Sequence, residues 1–128
     1  MRDRLRSRLA AFRYAFQGLG HLWRTQPNAR IHALATVLVV ALAWWLRIDA
    51  ARGALLSLVI GLVWMAEAFN TALEAAVDLC SPQPHPLAKV SKDVGAAAVL
   101  LAVFTAVAVG LLILGLPLLA RLGWGSGG

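Results

Sequence analysis

The chain has 128 residues, 60% of them hydrophobic, and carries a formal net charge of +6. Soluble domains are usually about 45–50% apolar, so this composition excludes an ordinary soluble protein and favours a single-domain integral membrane protein. One cysteine, Cys80, excludes an intrachain disulfide. Because apolar segments follow the basic N-terminal region, we expect anionic phospholipid as its partner and not nucleic acid.

The first thirty residues are basic and amphipathic. Seven arginines lie here: Arg2, Arg4, Arg6, Arg8, Arg13, Arg24 and Arg30. Large apolar residues recur between them every three or four positions: Leu5, Leu9, Phe12, Phe16, Leu19 and Trp23. This pattern is typical of a helix that lies in the plane of the membrane interface. Residues 25–28 predict the turn into the membrane, because Pro27 cannot continue helical hydrogen bonding.

Three apolar segments follow, and each predicts a transmembrane helix. They cover residues 31–46, 53–79 and 94–120. The first is short for a bilayer, which usually needs about 20 residues, and Trp44 and Trp45 near its end are typical interface anchors. We expect residues 80–92 to form a proline-containing loop and residues 121–128 to form a flexible tail. The predicted fold is therefore all-α, with one amphipathic surface helix and three transmembrane helices.

The basic residues are distributed unevenly between the two sides of the predicted membrane domain. The chain has 12 Lys and Arg, and all but Arg47, Arg52 and Arg121 lie in the N-terminal region or in the 80–93 segment. Because Lys and Arg concentrate in cytoplasmic segments, we expect the N-terminus and this loop in the cytoplasm. Three spans then place the C-terminus on the opposite side.

Polar residues interrupt the second apolar segment, and they share one helical face. They are Glu67, Asn70, Thr71, Glu74 and Asp78. At 3.6 residues per turn, all of these side chains fall within about 60° of the centre of that face. A carboxylate at a bilayer centre costs roughly 3 kcal/mol, so an intramembrane polar face indicates a functional site. The alternative is a structural role in hydrogen bonding between helices.

The loop after this segment brings further charged residues to the same membrane surface. They are His85, Lys89, Lys92 and Asp93. Lys89, Lys92 and Asp93 share a helical face if the third span begins near Leu87. Carboxylates bind Mg²⁺ and ammonium groups bind phosphate oxygens, so this set suits a metal–phosphate ligand. The sequence contains neither a Walker A motif nor the protein-kinase signatures, and a nucleotide enzyme of this size needs an unconventional site.

Two sequence blocks resemble the prokaryotic diacylglycerol kinase family, which includes the undecaprenol kinases. One is Glu67-Ala-Phe-Asn70-Thr71-Ala-Leu-Glu74-Ala-Ala-Val-Asp78, and the other is Lys89-Val-Ser-Lys92-Asp93-Val-Gly-Ala-Ala-Ala-Val, preceded by His85. Residues 12–18 and 28–32 also match the N-terminal pattern of the family, and the resemblance covers roughly residues 8–112. The Asn-Ala-Arg-Ile-His start and the His-Pro-Leu-Ala-Lys loop look more like the undecaprenol kinase branch.

The resemblance implies a homotrimer of three-span subunits in the bacterial inner membrane. It implies an enzyme that transfers the γ-phosphoryl group of MgATP to the hydroxyl of undecaprenol or diacylglycerol at the cytoplasmic interface. Glu67 resembles the general base that takes the hydroxyl proton, and Glu74 resembles a metal ligand. Residues implied for the ATP or active site are Arg13, Gly18, Asn70, Asp78, His85, Lys92 and Asp93. Residues implied for the lipid substrate are Glu67, Asn70 and Thr71.

Gln26 is the position at which the chain departs from the pattern that it resembles. The resemblance places a glutamate there as a second metal ligand, whereas Gln26 offers a neutral oxygen. Two alternatives to an active kinase therefore stay open. One is a non-catalytic pseudo-kinase or scaffold in which Gln26 is the lesion. The other is a small proton-linked transporter subunit in which the carboxylates relay protons.

Overall fold

The computed structural model describes residues 2–123 as an all-helical chain, with side chains described from residue 10 onward. The helices are α1 (Arg2–Thr25), α2 (Pro27–Trp45), α3 (Ala50–Cys80) and α4 (Pro86–Arg121). Helices α2, α3 and α4 are each long and apolar enough to cross a membrane. The prediction of an all-α membrane protein is therefore confirmed. The predicted tail from residue 124 onward, and the predicted interfacial side chains of residues 2–9, lie outside the described part.

Helix α1 presents an uncovered apolar face. Phe12, Phe16, Leu19 and Trp23 each expose half or more of their surface, whereas Leu22 is buried against the bundle. The spacing of the exposed residues places them along one side of the helix. An exposed apolar stripe next to arginines is suited to the boundary between lipid headgroups and acyl chains.

The turn between α1 and α2 is shorter than the sequence predicts. Gln26 alone separates the two helices, and Thr25 and Asn28, which were expected in the turn, are helical. Pro27 occupies the first turn of α2. A proline there loses no helical hydrogen bond, because the N–H groups of the first turn have no intrahelical partner. Pro27 therefore begins a helix instead of extending the turn.

A tight turn joins α2 to α3 at the opposite end of the bundle. Arg47 adopts a left-handed conformation with φ 55°. Asp49 caps α3, since its side chain accepts a hydrogen bond from the Arg52 backbone N–H at 3.1 Å. The Arg121 guanidinium lies over the Trp45 ring, 5.5 Å from its centroid. This end of the bundle therefore holds the basic residues that the sequence places across the membrane from the N-terminus.

Helices α3 and α4 form an antiparallel hairpin, and α2 packs beside it. A buried cluster at the far end contains Leu46, Leu56, Ile113 and Leu114. Nearer the 81–85 loop, the buried apolar side chains of α3 and α4 are small or β-branched: Val59, Val63, Val99 and Ala102. This arrangement brings the start of α2, the second half of α3 and the start of α4 to one end of the bundle.

Candidate active site

Glu67 is the most deeply buried charged side chain that the structure describes. It is 1% exposed, and neither of its carboxylate oxygens has a hydrogen-bond partner within the described residues. The Thr71 hydroxyl donates to the Glu67 backbone carbonyl at 2.9 Å and leaves the carboxylate free. Buried polar groups are nearly always hydrogen-bonded, and a buried charge needs a partner. The carboxylate therefore does not serve as a hydrogen bond between helices in this structure, which favours a functional role for Glu67.

One turn further along α3, Asn70 and Glu74 are joined side chain to side chain. The Asn70 Nδ2 donates to Glu74 Oε1 at 3.0 Å, while Asn70 Oδ1 is buried without a partner in the described chain. Gly95 of α4 packs against this pair: a Cβ at Gly95 would clash with Asn70 Oδ1 and would lie 3.0 Å from Leu73 Cδ2. The absence of a side chain at Gly95 is therefore what lets α4 approach the polar face of α3.

A polar cavity of about 300 Å³ opens beside this pair. Its polar lining comes from α2, α3 and the turn before α2: Gln26, Asn28, His32, Asn70 and Glu74. Carboxylate and amide oxygens are suitable ligands for Mg²⁺, which typically takes one or two protein carboxylates and completes its shell with water and substrate phosphates. Across the described residues, no three His, Cys, Asp or Glu side chains form a metal site by themselves. The donors present therefore fit a metal that is shared with phosphate oxygens.

A second cavity, of about 660 Å³, lies under the 81–85 loop. Asp78, His85, Lys89 and Lys92 contribute its polar groups. The Lys92 ammonium donates to Asp78 Oδ1 at 2.5 Å, and the imidazole of His85 caps α4 by accepting from the Leu87 backbone N–H at 3.2 Å. Two ammonium groups beside a loop cavity suit an anionic ligand such as phosphate.

An apolar groove of about 350 Å³ runs between α2, α3 and α4. Aliphatic side chains such as Val39, Val63 and Leu111 line it, and His32 lies at its polar end. His32 also lines the polar cavity. The groove and the polar cavity therefore meet at two shared residues, His32 and Val103.

The structure brings most of the predicted site residues to one end of the bundle. Those at the polar cavity are Gln26, Asn70 and Glu74, and those at the loop cavity are Asp78, His85 and Lys92. Glu67 lies one turn deeper in α3, and Thr71 directly follows Asn70 on the same face. The polar residues of α3 and the charged residues of the loop are therefore neighbours, as their order in the sequence suggests.

Three predicted residues lie apart from this group. Arg13 stacks over its neighbour Tyr14, 5.3 Å from the ring centroid, and Gly18 is exposed. Both belong to α1 and are not among the described residues that line either polar cavity. Asp93 is exposed on α4 and does not line the loop cavity, although its ion-pair partner Lys89 does. Conversely, the sequence interpretation assigned no site role to Asn28 or His32, although both line the polar cavity.

The fold and the site together define the class of protein. It is a small helical membrane protein with buried acidic and amide side chains at one end of the bundle and lysines beside them. The family model for prokaryotic diacylglycerol kinase matches residues 13–114. The chain belongs to this family, which confirms the resemblance seen in the sequence. The family is one of membrane lipid kinases.

Individual relatives of the chain are named as diacylglycerol or undecaprenol kinases. A diacylglycerol kinase of Synechocystis sp. is 46% identical over 113 residues, which cover 88% of this chain and 65% of the relative. A diacylglycerol kinase of Escherichia coli K12 is 38% identical over 94 residues, covering 73% of this chain and 77% of the relative. An undecaprenol kinase of Bacillus subtilis is 34% identical over 112 residues, covering 88% and 91%. The match thus spans slightly less than two thirds of the first relative and more of the other two.

Proposed function

We propose that this chain is a lipid kinase that transfers the γ-phosphoryl group of MgATP to the hydroxyl of a membrane lipid alcohol. The single observation that carries the proposal is Glu67, a carboxylate that is 1% exposed and has no hydrogen-bond partner for either oxygen among the described residues. It lies one turn from Asn70 and two turns from Glu74, which line the polar cavity. The names of the relatives, diacylglycerol kinase and undecaprenol kinase, support the acceptor class.

Glu67 takes the proton of the acceptor hydroxyl in the proposed reaction. The hydroxyl oxygen forms a bond to the γ-phosphorus, and the bond from that phosphorus to the bridging β–γ oxygen breaks. The bridging oxygen keeps the electron pair and leaves as part of ADP. General-base catalysis of this kind contributes about 10²- to 10⁴-fold, and phosphoryl transfer otherwise depends mainly on positioning and charge neutralisation.

The polar cavity holds the groups that would bind the metal. Glu74 supplies a carboxylate, and Gln26 supplies an amide oxygen. Bound Mg²⁺ would neutralise the charge on the β- and γ-phosphates. Asn70 Nδ2 donates to Glu74 Oε1 and fixes the direction of that carboxylate, while Asn70 Oδ1 is buried against Gly95. Because its oxygen is neutral, Gln26 lowers the metal affinity of the site relative to a glutamate without removing the ligand.

Lys92 binds a phosphate oxygen of the nucleotide at the loop cavity. Its ammonium is held there by Asp78, at 2.5 Å. Because a single carboxylate leaves two of the three ammonium N–H groups free, Lys92 retains donors for phosphate. Lys89 lines the same cavity and is paired with Asp93.

The acceptor approaches from the lipid phase. The apolar groove between the spanning helices suits its hydrocarbon chain, with the hydroxyl at the polar end near His32. The Asn-Ala-Arg-Ile-His and His-Pro-Leu-Ala-Lys segments favour the undecaprenol kinase branch, and the relative with 46% identity is a diacylglycerol kinase. Both alcohols are therefore tested as acceptors.

The site faces the cytoplasm in the bacterial inner membrane, as the distribution of Lys and Arg favours. This placement exposes the loop cavity to ATP. The subunits form a homotrimer, in which the many exposed apolar side chains of α2 and α4 contact lipid or a neighbouring subunit. Large exposed apolar surfaces mark contacts with a membrane or with another protein.

Purified protein in mixed micelles with Mg²⁺ and γ-labelled ATP tests the proposal. The micelles contain undecaprenol, diacylglycerol or no added lipid. Label in one of the two lipids supports the kinase and identifies its acceptor. No labelled lipid from well-folded, assembled protein overturns it and favours a non-catalytic pseudo-kinase. Ion flux in liposomes without ATP would instead favour the transporter alternative.

A further inference from the structure

The contact between α2 and α3 contains a buried pair of side chains that face each other without a hydrogen bond. His32 Nε2 lies 3.9 Å from Glu67 Oε2, and the two side chains are 14% and 1% exposed. Both atoms lack hydrogen-bond partners in the described part of the chain. Unsatisfied buried polar atoms are rare, and here they are complementary, since an imidazole N–H can donate to a carboxylate oxygen.

A second polar contact, one turn away, holds the two helices in register at this pair. The Thr36 hydroxyl donates to the His32 backbone carbonyl at 2.7 Å and accepts from Trp64 Nε1 at 3.1 Å. The Trp64 ring meets the His32 ring edge-on, with 6.4 Å between the centroids and 72° between the planes. The His32 ring is therefore supported on one side by α3 and cannot leave Glu67 without breaking this packing.

His32 lies where the polar cavity and the apolar groove meet, and it lines both. Glu67 is not among the residues described as lining either space. A lipid hydroxyl that arrives from the groove, and a phosphate in the polar cavity, would both meet the His32 side chain beside the buried carboxylate. A ligand in either space can therefore affect the surroundings of Glu67 through the His32 side chain.

We propose that His32 is the positioning residue for Glu67 in the lipid kinase reaction, an inference that rests on the proposed function. The His32 Nε2–H donates to Glu67 Oε2 and holds the carboxylate so that Oε1 receives the hydroxyl proton. A 3.9 Å separation exceeds the usual N–H···O range of about 2.7–3.2 Å. Catalytic hydrogen bonds are often long without substrate and tighten in the reactive complex, and closing this gap needs a shift of about 1 Å.

Glu67 needs a positioning residue because its side chain can rotate. The last torsion of Glu is broad, and neither oxygen of Glu67 is held by another described group. A hydrogen bond to one oxygen restricts that rotation and directs the other, which lowers the cost of reaching the reactive arrangement. Asn70 restricts the Glu74 carboxylate in the same way, by donating a hydrogen bond to one of its oxygens.

Three variants of His32 test the inference through kcat and the KM for ATP in the labelled-lipid assay. His32→Leu removes the donor and should lower kcat by about 10- to 100-fold, while the KM for ATP stays within about twofold because Lys92 and Glu74 are untouched. His32→Gln carries an amide N–H near the position of Nε2, and His32→Asn carries one near Nδ1. Gln should therefore restore kcat to at least about tenfold above Asn.

The comparison of Gln with Asn separates positioning from structure when it is read together with stability, because both variants carry a primary amide but Asn is smaller by one methylene. A purely structural role predicts that kcat follows the unfolding temperatures of the two variants, and that result overturns the inference. Wild-type kcat in His32→Leu overturns it as well. If His32→Leu fails to assemble, the Gln and Asn variants still decide. Absence of lipid phosphorylation in the wild type would instead overturn the proposed function and this inference with it.

Discussion

Asp78 in the last turn of α3 and Lys92 in the second turn of α4 form an ion pair across the 81–85 loop, with 2.5 Å between Oδ1 and Nζ. The helix dipole disfavours a carboxylate at a C-terminal turn, and the lysine offsets this. The two side chains are 64% and 37% exposed. Ion pairs with such access to solvent contribute about 0–1 kcal/mol. The pair therefore matters for where it places the ammonium, and little for stability.

Replacement of Lys92 by methionine should weaken nucleotide binding far more than folding. We expect Lys92→Met to raise the KM for ATP by about tenfold or more, since a charge-assisted phosphate contact is lost. The thermal midpoint should move by no more than a few degrees. Initial rates across an ATP titration measure the first quantity, and thermal unfolding in micelles measures the second.

Arg52→Met is the matched control, because it removes the ion pair with Asp49 at the opposite end of the bundle. That pair has comparable exposure, 57% and 56%. We expect its KM for ATP to equal that of the wild type. Equal effects of the two substitutions on the KM for ATP would show that Lys92 has no special role in binding ATP.

Gln26 lines the polar cavity together with Glu74, so a carboxylate at this position should strengthen metal binding. We expect Gln26→Glu to lower the Mg²⁺ concentration for half-maximal rate by about tenfold, because a second carboxylate adds charge to a site of oxygen ligands. Gln17→Glu adds the same charge on the exposed surface of α1 and should leave this concentration unchanged. If Gln26→Glu behaves like Gln17→Glu, Gln26 does not belong to the metal site.

A methyl group at Gly95 should disrupt the contact between α3 and α4. Its Cβ would clash with Asn70 Oδ1 and crowd Leu73, and overpacking of this kind costs about 1–3 kcal/mol. Displacement of Asn70 also frees Glu74, so Gly95→Ala should lower both the unfolding temperature and kcat.

Gly61→Ala provides the comparison for that substitution. A Cβ at Gly61 meets nothing within 4 Å, and alanine is preferred over glycine in a helix by about 1 kcal/mol. We expect this variant to be as stable as the wild type or slightly more stable. Equal unfolding temperatures for the two variants would contradict the close approach at Gly95.

The features that the sequence predicted well depend on local spacing. Glu67, Asn70 and Glu74 could be placed on one face of α3 because helical periodicity relates residues within two turns. The apolar segments are equally local, and they became α2, α3 and α4. Pro27 was misjudged because a proline that ends one helix also favours the first turn of the next.

Features that depend on packing between helices could not be predicted from the local spacing of residues in the sequence. Asn28 and His32 are about 40 residues from Asn70 and Glu74 in sequence, and only the packing of α2 on α3 brings them to the same cavity. Their N-x-x-x-H spacing was part of the family resemblance, but a lone histidine at a helix start carries no local sign of a partner. The roles of Arg13 and Gly18 at the ATP site stay predictions, since neither residue is among the described residues that line the polar cavities.

The most direct test of the central claim is the initial rate of lipid phosphorylation by Glu67→Gln, compared with the wild type at saturating MgATP and acceptor. Glutamine preserves the shape of the side chain and removes the base. We predict a fall of at least about 100-fold, with the oligomeric state and unfolding temperature of the wild type retained. A wild-type rate in fully assembled Glu67→Gln would contradict the account, because proton transfer to Glu67 would then play no part in the reaction.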